Sequence, residues 1–134
     1  MAELKQGEAI PERRVTPDKY LPHRYAGASG DFIPIHIDND FATMVGLPRN
    51  ILHGLYTMAQ VARANVQAAG GDPRSLKRLS VQFRGMGFPE QEISVTGTVK
   101  EERDGRVVID TVAEQNGNGI IRNAEAELEV GAST

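Results

Sequence analysis

The chain has 134 residues, 40% of them hydrophobic and 25% charged, and its formal net charge is −3. This composition is that of a globular domain and gives no indication of a nucleic-acid or membrane partner. The absence of cysteine excludes disulfide bonds, thiolate metal sites and cysteine nucleophiles, and fits a reducing compartment. Because there is no secretory signal and no apolar run near the roughly 18 residues of a membrane span, we expect a single cytoplasmic domain over residues 1–134.

The amino-terminal half combines short elements with irregular turns. Residues 8–15 predict a short strand, and the Thr-Pro-Asp sequence at 16–18 predicts the cap and first turn of a short helix. Pro22 lies too far along for that first turn, so the helix is kinked or starts again at Pro22. The glycines and proline of residues 27–34 predict an irregular turn. The aspartate at the start of residues 38–45 predicts the cap of another short helix.

Residues 54–69 carry the clearest helix signal in the chain. Their apolar side chains recur at spacings of three and four residues, which is the period of an amphipathic α-helix. Gly70 and Pro73 predict the end of this helix. The apolar stripe consists of Leu55, Met58, Ala59, Ala62, Val66 and Ala69.

After Leu76 the period changes to that of strands. Residues 93–99 alternate apolar and polar side chains, and residues 124–130 alternate alanine, leucine or valine with glutamate. The sequences at 104–105 and 116–119 predict hairpin turns between such runs. We therefore predict an α+β fold in which an antiparallel sheet wraps around one long helix. The sheet is expected to contain four strands after the helix and one near the amino terminus.

An aspartate and a histidine lie five residues apart in the sequence YAGASGDFIPIHID, at Asp31 and His36. In water these two side-chain types titrate on either side of neutral pH, so together they can hold a water molecule and move its proton. A glycine-rich turn lets the backbone approach a ligand closely, and Pro34 fixes the direction of the chain that follows. From the residues alone the alternative stays open that Asp31 caps a turn and His36 is a partly buried polar residue.

His53 and Gly54 lie where the predicted long helix begins. Unpaired N–H groups and the helix dipole stabilise negative charge at such a terminus, so the N–H of Gly54 is a candidate oxyanion donor. A plain loop-to-helix junction is the alternative. The three histidines lack the short spacings of zinc motifs, and we expect no metal. Residues 27–30 lack the third glycine of a dinucleotide fingerprint, so we expect no nicotinamide cofactor.

Three sequence blocks carry a family resemblance. YAGASGDFIPIH closely resembles the signature of the MaoC-like (R)-specific enoyl-CoA hydratases, in which an aromatic residue, Ser-Gly-Asp, one further residue, Asn-Pro, an aliphatic residue and His follow in order. ILHGLYTMA is similar to the second block, in which a His-Gly pair opens the central helix. VQFRGMGFP is similar to the third, a strand that ends at a proline. The resemblance covers nearly the whole chain in the right order.

The resemblance implies a hot-dog fold, in which the sheet wraps the central helix and short overhang helices carry the catalytic segment. It also implies that Asp31 and His36 activate a water molecule and that the N–H of Gly54 polarises the thioester carbonyl. The implied reaction adds water syn across a trans-2-enoyl thioester of coenzyme A or acyl-carrier protein, or runs in reverse as dehydration. No cofactor is implied, because coenzyme A is part of the substrate. The residues expected to contact substrate are Ser29, Ile33, Pro34, His53, Met58 and Arg84.

Ile33 departs from the family pattern, which has Asn before the proline. The exchange removes an amide that can orient catalytic groups, so weaker activity or a changed substrate stays open. Two further alternatives stay open: a hot-dog acyl-CoA thioesterase, which the lack of Asp and Glu in residues 54–69 disfavours, and a hydratase-like subunit of a heteromeric dehydratase with impaired catalysis. We expect a homodimer, or a heteromer with a related subunit. Arg84 or Arg49 is expected near the coenzyme A phosphates.

Overall fold

The computed structural model describes residues 4–130, so the ends of the predicted 1–134 domain lie outside the described residues. Within residues 4–130 the chain forms five strands and four α-helices, and a short 3₁₀ turn, Pro73–Ser75, leads into the second strand. The elements are β1 (Arg13–Val15), α1 (Leu21–Ser29), α2 (Pro34–Ile37), α3 (Asn39–Met44), α4 (Gly54–Ala68), β2 (Leu76–Phe83), β3 (Ile93–Arg103), β4 (Arg106–Gln115) and β5 (Asn118–Glu129).

All five strands form one antiparallel sheet in the order β1-β3-β4-β5-β2. Two tight hairpins join β3, β4 and β5. The residue pairs 104–105 and 116–117 all have φ values between 50° and 79°, which is the left-handed conformation that two-residue hairpin loops require. Residues 118–119 were expected in the second turn, but they already belong to β5.

The buried face of the sheet follows the predicted alternation. In β3 the residues Ile93, Val95 and Val99 are at most 1% exposed. In β5 alternate residues from Ala124 to Leu128 are fully buried in the same way. The long helix α4 contacts β2, β3, β4 and β5. The predicted α+β architecture, an antiparallel sheet around one long helix, is therefore confirmed.

The predicted long helix is also confirmed, but its most buried face is not the apolar stripe. Leu55, the first residue of that stripe, is 62% exposed. The buried face instead contains Val61, Ala64 and Ala68. Alanines bring the helix backbone close to the sheet, so side-chain size contributes to the choice of face as well as hydrophobicity.

Two amide side chains lie on this buried face of α4, and both form hydrogen bonds. Gln60 Oε1 accepts a hydrogen bond from Arg13 Nε at 3.1 Å. Asn65 Nδ2 donates to the Val61 carbonyl at 2.9 Å and to Thr111 Oγ1 at 3.1 Å. Buried polar groups are tolerated when they are hydrogen-bonded, which explains how Gln60 and Asn65 replace apolar residues at the interface with the sheet.

The first helix begins later than residues 16–18. α1 starts at Leu21 with Pro22 in its first turn, so the start at 16–18 is wrong and the alternative start at Pro22 is confirmed. Asp18 instead closes a turn before the helix, because its Oδ1 accepts a hydrogen bond from the N–H of Tyr20 at 2.8 Å. Proline is tolerated in a first helical turn since the N–H that it lacks has no acceptor there.

The overhang segment, residues 20–53, contains α1, α2 and α3 and precedes α4. Asp38 caps α3 as predicted, since its Oδ1 accepts from the N–H of Phe41 at 3.1 Å. Further on, the N–H of Leu52 donates to the Gly87 carbonyl at 2.8 Å. This bond fixes the end of the overhang segment to the loop that follows β2. Over residues 4–130 no helix combines the length and the apolar character needed to cross a membrane.

Candidate active site

Asp31 lies in the turn between α1 and α2. Gly30 ends α1 with a φ of 80°, and its N–H donates to the Ala26 carbonyl at 2.8 Å. Ser29 Oγ then accepts a hydrogen bond from the N–H of Asp31 at 3.1 Å. Asp31 Oδ1 accepts one from the N–H of Ile33 at 3.3 Å. These local bonds reverse the chain and leave Asp31 Oδ2 directed toward His36.

His36 lies on α2 and is 8% exposed. Its Nδ1 is 2.9 Å from the Ile51 carbonyl oxygen. Because a carbonyl can only accept, Nδ1 carries the hydrogen, and Nε2 of the neutral ring is an acceptor. Asn50 Nδ2 also donates to the His36 carbonyl at 2.9 Å. Side chain and backbone of His36 are thus both fixed by the segment that leads into α4.

The carboxylate of Asp31 and the imidazole of His36 face one another across a short gap. Asp31 Oδ2 lies 3.9 Å from His36 Nε2, which is too long for a direct hydrogen bond. A water molecule bonded to both atoms fits such a separation. The arrangement is suited to holding one water molecule between an acceptor oxygen and an acceptor nitrogen.

Gly54 is the first residue of α4, so its N–H is among those that have no acceptor within the helix. The positive end of the dipole of this 15-residue helix lies at the same place. The ring of Phe83 covers Gly54 closely: a β-carbon at position 54 would lie 3.1 Å from Phe83 Cε1. A side chain at position 54 would therefore displace this ring.

His53 lies against both members of the acid–imidazole pair. Its Nε2 is 3.0 Å from the Asp31 carbonyl oxygen. Its ring stacks on that of His36 with centroids 4.0 Å apart and planes inclined by 22°, and the Tyr25 ring lies 4.7 Å away. His53 is 2% exposed. Its Nδ1 is the single buried side-chain nitrogen or oxygen within residues 4–130 that has no hydrogen-bond partner.

Two cavities meet at Gly54 and Phe83. The outer cavity has a volume of about 300 Å³, and Asp31 lines it. The inner cavity has a volume of about 200 Å³ and is mostly apolar, and His36 lines it. The rest of the wall of the outer cavity consists of Tyr25, Ser29, Leu55 and the small exposed surface of His53. The inner cavity is further lined by Ile51, Leu52, Thr57, Gly85, Met86, Gly87, Ile120 and Ile121.

Besides Arg84, which lines a separate cavity, three predicted substrate contacts line neither of these cavities. Ile33 is 54% exposed, and Pro34 is exposed beside it at the start of α2. Met58 packs against the hydrophobic core from α4. The structure thus brings together Asp31, His36, Ser29, His53 and Gly54, and leaves these three outside the two cavities.

The two arginines expected near phosphates differ in their surroundings. Arg84 lines a third cavity of about 720 Å³ together with Arg122, and this cavity shares Met86 with the inner one. Arg84 Nη2 donates to Gln82 Oε1 at 2.6 Å. Arg49, in contrast, forms an ion pair with Glu90 at 3.0 Å. Arg84 therefore lies next to the candidate site with a neutral partner, and Arg49 already has a carboxylate.

Sequence reasoning did not single out Phe83, Tyr25 or Asn50. Phe83 and Tyr25 belong to the sequence blocks that carry the family resemblance, and their place in those blocks was the available signal. Asn50 had no such signal, because its bond to the His36 carbonyl depends on the folded backbone. Tyr56, in the first turn of α4, meets Tyr25 edge to face at 6.0 Å, and burial raises the pKa of the Tyr56 hydroxyl.

A ligand atom from each of Asp31, His36 and His53 lies within 4.8 Å of the others. His36 Nδ1 and His53 Nε2 both bind backbone carbonyls. The two nitrogens that remain are His36 Nε2 and His53 Nδ1. Their lone pairs lie in the planes of two stacked rings inclined by only 22°, so the two lone pairs do not point at one common position. This donor set fits a metal ion poorly, and the absence of a metal stays our prediction.

An antiparallel sheet wrapped around a long helix, with polar groups gathered where that helix begins, defines the hot-dog class of domains. Within this class the chain belongs to the MaoC-like family, since the family model for the MaoC like domain matches residues 4–119. The solved structure of the (R)-hydratase from A. caviae involved in PHA biosynthesis superimposes with a TM-score of 0.86 at 21% identity, over 95% of this chain and 97% of that one.

Two curated relatives carry enzyme names. The chain is 36% identical to the peroxisomal enoyl-CoA hydratase 2 of Arabidopsis thaliana over 66% of its own length. It is 32% identical to the peroxisomal multifunctional enzyme type 2 of Mus musculus over 93% of its length. It spans only 28% and 17% of the lengths of these two relatives. The family is one of hydratase- and dehydratase-type enzymes.

Proposed function

We propose that the chain is an (R)-specific enoyl-CoA hydratase, or 3-hydroxyacyl-CoA dehydratase, that adds water syn across a trans-2-enoyl thioester. The observation that carries the proposal is the 3.9 Å gap between Asp31 Oδ2 and His36 Nε2, next to the free N-terminus of α4. Hydration needs a base for the water molecule, a proton for the α-carbon and a donor where enolate charge develops. Three groups in one place supply these three requirements.

In the forward reaction, a water molecule held by Asp31 and His36 attacks C3 of the enoyl group. One of the two side chains accepts its proton, and the pair delivers a proton to C2. Because both side chains lie on one side of the substrate, oxygen and hydrogen add to the same face of the double bond, which is syn addition. No step requires a metal ion or a redox cofactor, and the coenzyme A enters and leaves as part of the substrate.

The N–H of Gly54 is the proposed donor for the thioester oxygen. Negative charge on that oxygen grows as the enolate forms, so a donor at the positive end of α4 stabilises the transition state more than the substrate. Phe83 packs closely beside this glycine, and a β-carbon at position 54 would lie 3.1 Å from its ring. The apolar inner cavity next to Gly54 suits the acyl chain, whose length is set by its walls.

The coenzyme A phosphates are proposed to bind near Arg84 and Arg122. Both arginines line the cavity that adjoins the inner one. Arg84 bonds to the neutral Gln82, so its charge is available for an anion. An acyl-carrier-protein thioester presents phosphate at the same end of its prosthetic group, and it remains the alternative form of the substrate.

The acyl-CoA thioesterase remains the rival function, and a specific feature counts against it. Hot-dog thioesterases direct water with an acid on the central helix, and α4 holds neither Asp nor Glu. A hydratase-like subunit with impaired catalysis is the second rival. It is disfavoured because Asp31 and His36 are both present and face one another.

Incubation of the purified protein with crotonyl-CoA tests the proposal. We expect the enoyl absorbance to fall with no release of free thiol, and the product to be oxidised by an (R)-specific but not an (S)-specific 3-hydroxyacyl-CoA dehydrogenase. Free thiol would identify a thioesterase. An unchanged substrate would leave the chain as the non-catalytic partner of another subunit.

We also propose that the protein is a homodimer. β2 is an edge strand, bonded on one side to β5, and large apolar side chains lie exposed at and near it, among them Phe83 and Met86. Unpaired strand edges and exposed apolar groups favour pairing with a second sheet. Sedimentation at micromolar concentration should give twice the monomer mass.

The cytoplasmic location stays a prediction, and the two named relatives are peroxisomal.

A further inference from the structure

His53 was expected to contact substrate, but its contacts are with the catalytic pair instead. Only 2% of its surface is exposed, so its ring forms the wall behind the outer cavity and offers the substrate little surface. The same ring touches both proposed catalytic residues, through the Asp31 carbonyl at 3.0 Å and the His36 ring at 4.0 Å between centroids.

The hydrogen bond to Asp31 fixes the tautomer of His53. The carbonyl oxygen can only accept, so Nε2 carries the hydrogen, and Nδ1 of the neutral ring is left as an acceptor. This Nδ1 is buried and has no hydrogen-bond partner in the part of the chain that the structure describes. Burying an acceptor without a donor is unfavourable. A phenylalanine at position 53 would keep an aromatic ring there without that penalty.

We propose that His53 is a positioning residue that holds Asp31 and His36 in one orientation, and that its unpaired Nδ1 is the stability cost of this role. The bond from Nε2 fixes the backbone of Asp31, and the stacked ring fixes the plane of His36. Groups that orient catalytic residues in this way commonly change activity by about 10- to 100-fold when they are removed. This inference rests on the proposed hydratase function for its kinetic test.

Two substitutions distinguish the contribution of the stacked His53 ring from that of its Nε2 hydrogen bond. His53→Phe keeps an aromatic ring for stacking but removes both the Nε2 donor and the unpaired Nδ1. His53→Gln replaces the ring with an amide whose N–H can reach the Asp31 carbonyl. The matched control is His23→Phe, because His23 is exposed on α1 and its Nε2 also binds a backbone carbonyl, that of Ile37, at 2.9 Å.

With crotonyl-CoA we expect His53→Phe to lower kcat about 10- to 100-fold with little change in KM. Its thermal midpoint should change little, because removal of the unpaired Nδ1 offsets the loss of the Nε2 hydrogen bond. His53→Gln should recover part of the lost kcat, and His23→Phe should lower kcat far less than His53→Phe, because His23 contacts neither Asp31 nor the His36 ring. A normal kcat in His53→Phe, or a raised KM alone, would overturn the proposal, and the latter would restore substrate contact as the role of His53.

A second measurement judges the positioning role without turnover. In ¹⁵N spectra of the wild type, we expect His53 as the Nε2–H tautomer and His36 as the Nδ1–H tautomer. In His53→Gln, which removes the stacked ring, the His36 ring is less restrained and its signals should move toward a mixture of tautomers. Unchanged His36 signals would contradict the proposal even if the wild type hydrates crotonyl-CoA. Inactivity of the wild type would count against the proposed function alone.

Discussion

The sheet of β3, β4 and β5 and the overhang segment meet at the start of α4, but they are held together by different forces. The strands bury alternate apolar side chains, such as Ile93, Ile109 and Leu128, that have no exposed surface. The overhang helices have four to nine residues and depend on single bonds between side chains and backbone, such as those of Asn50 and His53. Helices this short are unstable alone.

This difference assigns separate tasks to the two regions. Burial of apolar surface is non-directional and supplies most of the free energy of folding. Single hydrogen bonds supply little net stability each, but they are directional and fix a side chain to within a fraction of an ångström. We therefore expect changes in the overhang segment to alter catalysis first and changes in the sheet to alter stability first.

The largest expected effect comes from the acid–imidazole pair. Asp31→Asn and His36→Ala should each lower kcat/KM for crotonyl-CoA by at least about 100-fold, because each removes a group that transfers a proton. The thermal midpoint of Asp31→Asn should change little, since the Asp31 side chain is 40% exposed and the amide of Asn keeps an oxygen for the N–H of Ile33. His36→Ala also removes a buried ring, so its rate is compared per folded molecule. Steady-state kinetics and thermal unfolding on the same preparations provide the measurement.

Asp40→Asn is the matched control for Asp31→Asn. Asp40 is an exposed acid in the first turn of α3, outside both cavities, so its substitution should leave the rate unchanged. Near-normal turnover in both Asp31→Asn and His36→Ala would refute the assignment of the pair. A loss of rate matched by a loss of folded protein would erase the distinction between the two regions.

The complementary change is made in the sheet. Leu128→Ala should lower the free energy of unfolding by about 2–5 kcal/mol, because it leaves a cavity among fully buried side chains. The folded fraction should keep its kcat, since Leu128 lines neither site cavity. Denaturant unfolding and activity per folded molecule are the quantities to measure.

Leu55→Ala makes the same chemical change at a leucine that is 62% exposed, and it should cost far less stability than Leu128→Ala. Similar losses for the two variants would show that Leu55 is buried in solution, as it would be beneath a second subunit. A fall in kcat for folded Leu128→Ala would instead show that the sheet and the site are coupled more tightly than the two sets of forces suggest.

The sheet was the more predictable of the two regions. Alternation with period two and the left-handed turns at 104–105 and 116–117 are local properties, so the sequence predicts β3 to β5 directly. The face of α4 was harder to predict. Gln60 and Asn65 are buried because Arg13 and Thr111 supply hydrogen-bond partners from outside the helix, and spacing within the helix holds no information about those partners.

The site could be predicted only as far as its sequence blocks reach. Asp31 and His36 are close in sequence, and their meeting depends on a turn whose residues are visible in the sequence. The role of His53 depends on which backbone carbonyl it meets and on what covers its ring, and both follow from the docking of the overhang segment on α4. Tertiary hydrogen bonds of this kind have no local signature.

The smallest expected effect concerns Ile33, at the start of α2 in the overhang segment. Residue 33 is the N-cap of α2, and the isoleucine makes no capping hydrogen bond. Asparagine is among the best N-cap residues, which gives a structural reason for the Asn of the family signature at this position. Ile33→Asn should therefore stabilise the protein by up to about 1 kcal/mol, measured by denaturant unfolding.

Ile33→Ala is the control, because it removes the same exposed side chain without supplying a cap. Turnover of Ile33→Asn should stay within about tenfold of the wild type, since a cap on α2 adjusts the orientation of His36 without touching the substrate. If Ile33→Asn is no more stable than Ile33→Ala, then the cap is absent, and the family Asn acts on the catalytic groups or the substrate. In that case the rate of Ile33→Asn, rather than its stability, should differ from that of Ile33→Ala.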